Sequence, residues 1–581
     1  MIKKSVGIIV VICFVAAIVL LFGGLVIFQN DDEQGNGVDK RNDFNRPVWE
    51  REKVNFVVIY TDDQRWDTMG VMPIVKKELA DRGTTFDNAF VRLPLCCPSR
   101  ASFLSGGFFP ASTGVKQNGG VNGGAGSFYD LKNIGKTFQE NGYRTALVGK
   151  YLNAYGDISP RIPPGWDVFF IILFSGKWDK YNGVEGSSTA GSPGKGEVKS
   201  YNDYLLDVEK EKALKFIDDN YDEPFFLFYS TNSPHDPATP AERDKNLFSD
   251  YNYRDRGWGE EDLSDKPEWV GEVADDFWRG NPDFFEEDDF IKGSETPDDF
   301  IKNQLRTLQY TDRAVGEIIS KLEEKGIADK TVVIYTSDNG FMWGEHGIFK
   351  KGVPYEESVH VPLIVYVPEM EKQTISEMIS VDEDLAATLF DMAEIESESD
   401  GESVAPLVLG ENFRWREHFI SEGFGSGAGD FPIWASIRDS RYKYIQYASG
   451  EEELYDLQAD PFELESKHDS PSFLAIKESL KRLLEGERAL GIATTELPDA
   501  EVGKEYRFAL EGWGGKKPYT WRITEGNLPD GLELTNDGII IGTTESKMGG
   551  KFTVQVSDSF VSKQHGGSDK FSLKFNLRVK D

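Results

Sequence analysis

The residues best suited to chemistry stand where short apolar runs stop. Val54 to Tyr60 gives way to Thr61-Asp62-Asp63-Gln64, and Thr145 to Val148 gives way to Gly149-Lys150. Phe225 to Tyr229 leads to Ser233-Pro234-His235, and Thr331 to Thr336 leads to Ser337-Asp338-Asn339-Gly340. Each alone has an ordinary explanation, since aspartates after a strand serve as turn formers or helix caps and Asp-Asn-Gly makes a turn. Together they supply three carboxylates and an amide oxygen, a hard-oxygen set that suits calcium or magnesium. Asp62 and Asp63 come from one run and Asp338 and Asn339 from a distant one, so only the fold can join them.

The apolar runs are short and β-branched, and they alternate with longer periodic stretches, which is the α/β pattern. Helices are expected over Pro73 to Asp81, Leu131 to Glu140, Tyr204 to Asp219 and Asp299 to Glu324, and a further buried strand over Val361 to Val367. If the four runs are neighbouring strands of an open sheet, their polar ends converge beyond the carboxyl edge, where such sheets bind ligands. The acidic, Trp- and Pro-rich stretch from Tyr251 to Asp299 reads as an insertion over one face. Two strands, Trp434 to Arg438 and Tyr442 to Tyr447, then a turn and a helix, mark a small α+β subdomain. After Leu490, short strands broken by Gly, Pro and Asn read as an all-β sandwich.

Length and composition bound the alternatives. A chain of 581 residues exceeds one hydrophobic core, and 39% hydrophobic with 13% aromatic residues is globular. The net charge of -35 repels nucleic acid, so no nucleic-acid partner is expected, and an anionic substrate needs a local cationic pocket. The cysteines Cys13, Cys96 and Cys97 build no disulfide framework. Val6 to Phe28 is uninterruptedly apolar, preceded by Lys3 and Lys4 and followed by Asp31, Asp32 and Glu33. That favours a signal anchor with the rest of the chain outside the cytoplasm, the alternative being secretion after signal cleavage.

The most specific stretch is Leu93-Pro94-Leu95-Cys96-Cys97-Pro98-Ser99-Arg100, followed by Ala101-Ser102-Phe103-Leu104-Ser105-Gly106. It resembles the signature of type I sulfatases, C-x-P-S-R-x-x-x-L-[ST]-G. Lys351-Gly352-Val353-Pro354-Tyr355-Glu356 before His360-Val361-Pro362-Leu363, and the late Arg441-Tyr442-Lys443-Tyr444 and Leu454-Tyr455-Asp456-Leu457, resemble further segments of that family. Gly149-Lys150-Tyr151-Leu152-Asn153-Ala154-Tyr155-Gly156 and Ile162-Pro163-Pro164-Gly165-Trp166 are similar to the branch holding N-acetylglucosamine-6-sulfatases and extracellular heparan 6-O-endosulfatases.

The resemblance implies an alkaline-phosphatase-like fold with a mixed, largely parallel sheet between helices, and an enzyme that removes sulfate from an extracellular sulfated saccharide. It also implies that a maturation enzyme oxidises Cys96 to formylglycine. Arg100 would hold its hydrate, Lys150 and Lys351 would neutralise the transferring group, and His235 would protonate the leaving alcohol. The cation, calcium or else magnesium, would sit among Asp62, Asp63, residue 96, Asp338 and Asn339. Arylsulfatases carry a histidine two positions after the first lysine, where this chain has Leu152. The base of the second half-reaction is therefore unassigned; Asn153 is a candidate for that place and His346 for substrate contact. The C-terminal stretch, with Leu528-Pro529-Asp530-Gly531 and Gly538-Ile539-Ile540-Ile541-Gly542, resembles Ig-like domains of microbial surface proteins.

The expected organisation is an anchor over 1–30, a stalk over 31–50, a catalytic domain over 51–400, its C-terminal subdomain over 401–490 and an Ig-like sandwich over 495–581. The rival readings are a phosphonate or phosphate diester hydrolase of the same superfamily, and a surface adhesion protein with an inactive sulfatase domain.

Overall fold

Phe56, Val58 and Tyr60 enter one apolar core while Val57 and Ile59 enter another, because successive side chains of a strand point to opposite faces. A strand covered on both sides has no use for alternating polarity, which is why Val54 to Tyr60 is continuously apolar. The computed structural model describes residues 47–173, 177–254, 257–278, 296–411, 414–425, 431–561 and 568–580. The expected anchor and nearly all of the stalk lie outside these, as do Glu286 to Asp289 of the acidic insertion. Among the described residues no helix is long and apolar enough to cross a membrane.

A ten-stranded sheet forms the centre. Its strands in chain order are β1 (Asn55–Thr61), β2 (Thr84–Phe90), β3 (Arg144–Gly149), β4 (Val168–Leu173), β5 (Tyr181–Gly186), β6 (Glu197–Tyr201), β7 (Phe225–Ser230), β8 (Thr331–Ser337), β9 (Leu363–Tyr366) and β10 (Gln373–Ser380). Across the sheet they stand in the order β10-β2-β9-β8-β1-β7-β3-β4-β5-β6. The run from β8 to β4 is parallel throughout. Antiparallel β9 sits between β8 and β2, so β2 points the same way as β1 and β9 starts at the edge where they finish.

Helices α1 (Cys96–Leu104), α2 (Ile134–Glu140) and α5 (Val381–Met392) cover the Phe56 face, through Phe103, Phe138 and Leu389. Helices α3 (Leu205–Asn220) and α4 (Pro297–Glu324) cover the Val57 face, through Phe216, Leu308 and Ile318. The helix expected from Leu131 begins at Ile134, where the Asn133 side chain accepts from Lys136 N and caps it. Strands β4 to β6 were not separated by sequence pattern: β6 is largely exposed at the sheet edge and lacks the apolar run that marks a buried strand.

Beyond the main sheet, β11 (Phe419–Phe424), β12 (Ile433–Arg438), β13 (Tyr442–Tyr447) and β14 (Glu452–Asp456) form an antiparallel meander that shares an apolar core with α6 (Leu474–Glu487). The two strands expected there are the central pair. The C-terminal region has two three-stranded sheets. One consists of β15 (Glu505–Ala509), β17 (Leu532–Leu534) and β18 (Ile539–Thr543), the other of β16 (Thr520–Gly526), β19 (Gly550–Ser557) and β20 (Lys570–Leu577). Their inward residues, among them Ile540, Val554 and Phe571, join Ile420, Phe424 and Leu490 in the same core.

At the end of β3 the backbone of Gly149 has φ 110°, and a Cβ there would lie 2.0 Å from Ser230 O on β7. That contact lets Lys150 emerge beside β7. Gly149→Ala is expected to destabilise the protein by on the order of 3 kcal/mol in urea unfolding, whereas Gly70→Ala, with open space around it, should stay within about 0.5 kcal/mol of wild type.

Candidate active site

Four strand ends and one helix start meet at a single point. Asp62 and Asp63 follow β1, Asp338 and Asn339 follow β8, Lys150 follows β3, and His235 follows β7. The segment leaving β2 delivers Cys96 at the first position of α1, and Lys351 lies on the stretch leading into β9. Asp63 has φ 69°, a left-handed conformation that non-glycine residues rarely adopt. This turns it from the strand path so that two successive carboxylates face one place.

Cys96 Sγ is 3.4 Å from Asp62 Oδ1, 3.8 Å from Asp63 Oδ1 and 2.7 Å from Lys351 Nζ. Lys351 also donates to Asp63, and Lys150 Nζ donates to Asp62 Oδ2. Arg100, one turn along α1 from Cys96, donates through Nε to Asp338 Oδ2 at 2.8 Å and also to Ser230 Oγ. Asp338 Oδ1 accepts from Asp63 N at 3.0 Å. His235 Nε2 is 3.8 Å from Asp63 Oδ2, and its Nδ1 is 2.6 Å from Asp236 Oδ1.

The groups bias one another's charge. Burial opposes ionisation of Asp62, but His235, Lys150 and Arg100 outweigh it and hold the carboxyl below the usual carboxylate range. Asp63 is likewise lowered, burial being overcome chiefly by Lys351. Burial disfavours the His235 imidazolium, yet Asp236 and Asp62 raise its pKa well above the ordinary histidine value. Lys351 is raised well above normal against burial by Asp63 and Cys96. Burial pushes the Cys96 thiol up, and pushes Cys97 up to about 12.

A cation fits this donor set. Asp62, Asp63, Cys96 and His235 offer ligand atoms within 4.8 Å of one another. Asp63 Oδ2 and Asn339 Oδ1 are buried without a hydrogen-bond partner, while Asn339 Nδ2 donates to Asp63 Oδ1 at 2.7 Å. Two orphaned oxygens on adjacent strand ends are costly unless a cation satisfies them.

The comparisons with known proteins coincide with this geometry. The Sulfatase family model matches residues 54–395, more than half of the chain. The chain belongs to the sulfatase family. A model described as N-sulphoglucosamine sulphohydrolase, C-terminal, matches residues 344–489, and an Ig-domain model matches 490–576. Similar relatives include the human N-acetylglucosamine-6-sulfatase, 29% identical over 64% of this chain and 68% of that protein. Another is the N-acetylglucosamine-6-O-sulfatase of Bacteroides thetaiotaomicron, 27% identical over 75% and 86%. The Drosophila melanogaster extracellular sulfatase SULF-1 homolog is 27% identical over 70% of this chain. The chain spans about half of a Caenorhabditis elegans Sulf-1 relative (54%) and 37% of the Drosophila protein. Among solved structures, a chain in complex with its substrate D-glucosamine-2-N,6-O-disulfate matches with TM-score 0.64 and 24% identity, over 75% of this chain and 97% of that one. A phosphonate monoester hydrolase from Silicibacter pomeroyi matches with TM-score 0.60 and 20% identity, over 74% and 94%. These likenesses establish the fold of this sulfatase-family chain.

The two remaining candidates lie apart from the Cys96 cluster in their described contacts. Asn153 O accepts from Ala125 N, its Oδ1 is buried without a hydrogen-bond partner, and its backbone faces the Cys97 thiol. Leu152, in the place of the arylsulfatase histidine, is buried in the apolar core. His346 holds Glu260 Oε2 through Nδ1 at 2.7 Å and lies on the Tyr355 ring at 4.2 Å.

Sequence reasoning missed Glu209 of α3. Its carboxylate accepts from Thr231 Oγ1 at 3.0 Å and from Asn232 Nδ2 at 2.5 Å, holding the loop that carries His235. A glutamate inside an amphipathic helix has no sequence signal that separates it from a solvated one, but here it is fully buried. Burial raises its pKa from 4.5 to about 7, so the folded state binds the proton more tightly than the unfolded chain. That contribution to stability is complete below about pH 4.5 and is lost as pH rises through about 7. The Tm of Glu209→Gln relative to wild type should therefore climb between pH 5 and pH 8; a pH-independent difference would contradict the ionisation.

The two cysteines give a sharper test. Cys97 Sγ joins the apolar core with Phe103 and Tyr151, while Cys96 faces the carboxylates. Cys97→Ser should keep turnover within a few-fold, whereas Cys96→Ala should lose about a thousandfold or more with an unchanged circular dichroism spectrum. Peptide mass spectrometry of active protein should find the aldehyde or its hydrate at residue 96 and a thiol at residue 97.

Proposed function

We propose that the chain hydrolyses sulfate esters of a sulfated saccharide outside the cytoplasm, using a formylglycine that a maturation enzyme makes from Cys96. The observation that carries this reading is the position of Cys96 at the start of a buried helix. It lies against Asp62 and Asp63 with Lys351 in hydrogen-bond reach. Around it the cationic groups Arg100, Lys150, Lys351 and His235 match the carboxylates Asp62, Asp63, Asp338 and Asp236 one for one, so a bound divalent cation would make the pocket cationic in a chain of net charge -35. A local excess of positive charge in a dry site is what an anionic sulfuryl group requires.

The thiol of Cys96 stands in for the hydrated aldehyde, which supplies two hydroxyls on one carbon, one to attack sulfur and one to release sulfate. A calcium or magnesium ion held by Asp62, Asp63, residue 96, Asp338 and Asn339 would supply charge to polarise sulfuryl oxygens and ease deprotonation of the nucleophile. Arg100, locked by Asp338 and Ser230, orients residue 96 from its own helix. Lys150 and Lys351 hold the sulfuryl oxygens. His235, kept protonated by Asp236 and Asp62, donates its Nε2 proton to the leaving alcohol.

The names of the relatives support a glucosamine 6-sulfate type of substrate, and the extracellular relatives support an extracytoplasmic location. The apolar run Val6 to Phe28 supports a membrane tether. A second reading, phosphonate or phosphate diester hydrolysis, is favoured by the likeness to the phosphonate monoester hydrolase. The presence together of Cys96, Arg100, Asp62, Asp63, Asp338 and Asn339 speaks against an inactive adhesion protein.

Purified protein should release sulfate from aryl sulfates and glucosamine 6-sulfate saccharides, lose turnover on chelation and regain it with calcium. Full turnover in chelator with metal content verified as nil would remove the cation from the reading. Faster hydrolysis of phenyl phosphonate than of aryl sulfate would reverse the order of the two readings.

A further inference from the structure

Helix α1 begins without a cap of its own. Its N-cap residue is Leu95, whose side chain accepts nothing, so the first amides of the helix carrying Cys96 need an acceptor from elsewhere. Asn118 supplies one: its Oδ1 accepts from Cys97 N at 2.9 Å. Asn118 belongs to a tight loop in which Lys116 N and Gln117 N both donate to Asn122 O, at 2.7 and 3.2 Å.

That loop is gripped from the far end of the chain. Lys116 Nζ, fully buried, donates to Asp569 Oδ1 and Oδ2 at 3.0 and 2.9 Å and to Leu490 O at 2.8 Å. Asn122 exchanges hydrogen bonds with the backbone of Ser572 on β20, its Oδ1 accepting from Ser572 N at 2.9 Å and its Nδ2 donating to Ser572 O. Between these grips, Gln117 Nε2 donates to Phe424 O at 3.0 Å at the end of β11. Lys116 also lies beside the Phe424 and Phe571 rings, which are 5.5 Å apart. The consecutive residues Lys116, Gln117 and Asn118 thus tie to the Ig-like region, the four-stranded subdomain and the nucleophile helix in turn. A small cleft lies along this junction, lined in part by Leu95, Lys116, Lys351, Phe424 and Phe431, so Lys116 of the same loop and Lys351 share its wall.

We propose that the Ig-like region is a working part of the active site rather than a spacer. Through Asp569 and Ser572 it clamps the 115–124 loop, and through Asn118 that loop holds the start of the Cys96 helix. Asp569, Lys116 and Asn118 are positioning residues. A free Ig-like spacer would have no use for a fully buried lysine–aspartate pair at its junction. Breaking such a pair strands an unpaired buried charge, whereas replacing both partners by apolar groups is tolerated. Burial raises Asp569 to about 6 against the opposing pull of Lys116 and the Lys570 amide. The consequence for turnover rests on the sulfatase reading, while the mechanical link does not.

Hydrogen exchange of the full-length protein separates the two. Asp569→Asn should speed exchange by roughly tenfold in peptides covering 115–124 and also 95–99, while β8 keeps its protection. The kcat for an aryl sulfate should fall several-fold with KM little changed. The pair Lys116→Met with Asp569→Leu should restore protection at 95–99. If Asp569→Asn does not fold, Asn118→Ala isolates the last link and should loosen 95–99 while leaving β20 protected. Loosening of 115–124 with 95–99 unchanged, or an unchanged 95–99 peptide in Asn118→Ala, overturns the inference. A wild-type protein that cleaves no sulfate ester would instead remove the functional reading, with the exchange result still deciding the clamp.

Discussion

Three carboxylates crowd the ends of two neighbouring parallel strands, and the surrounding structure answers the electrostatic problem they create. Asp62, Asp63 and Asp338 are fully buried, and unpaired charges in such a place are expensive to desolvate. The fold interleaves them with cations from four other positions: Arg100 on Asp338, Lys150 on Asp62, Lys351 on Asp63, and His235 facing Asp63. Each cation arrives on a different segment, so the site exists only while the central strands keep their register. The two oxygens left without a hydrogen bond, on Asp63 and Asn339, mark where a divalent ion would find ligands.

That requirement explains the order of strands. Parallel neighbours present all their carboxyl ends on one edge, and β8, β1, β7 and β3 stand side by side. The insertion of antiparallel β9 next to β8 reverses the chain there, so the stretch carrying Lys351 approaches from the same edge. The site is therefore anchored on backbone hydrogen-bond ladders, which tolerate little displacement, with His235 and Lys351 on the segments that join those strands.

The regions after residue 400 are joined to this edge, not strung behind it. Phe424 and Leu490 share one apolar core with residues of the C-terminal sandwich. Arg438 pairs with Glu356 close to the Lys351 segment, and Trp434 Nε1 donates to Gly352 O at 2.8 Å. A composition shift after Leu490 announces a new module, but nothing in that shift tells whether it swings free or is locked by a buried charge pair.

The amino-acid sequence alone determined the fold class, the central strands and most of the chemical inventory. Short, β-branched apolar runs bounded by turn residues fit strands buried on both faces, and acidic or basic residues directly after several of them converge on one edge. The Cys96 to Gly106 signature and the lysine segments carried the family. Tertiary structure decided what depends on distance across the chain. It set Cys96 toward the carboxylates and Cys97 toward the core, a choice that one residue of helical rotation makes and composition does not. It placed Glu209 beneath the His235 loop and Asn118 over the Cys97 amide, because a polar side chain becomes a strut only when burial removes water as its partner. Asn153 and His346 likewise acquired their contacts, with Ala125 and with Glu260, from segments far from them in sequence. Local pattern encodes which face of an element is apolar, but which element lies against that face is settled only when the whole chain closes on its core.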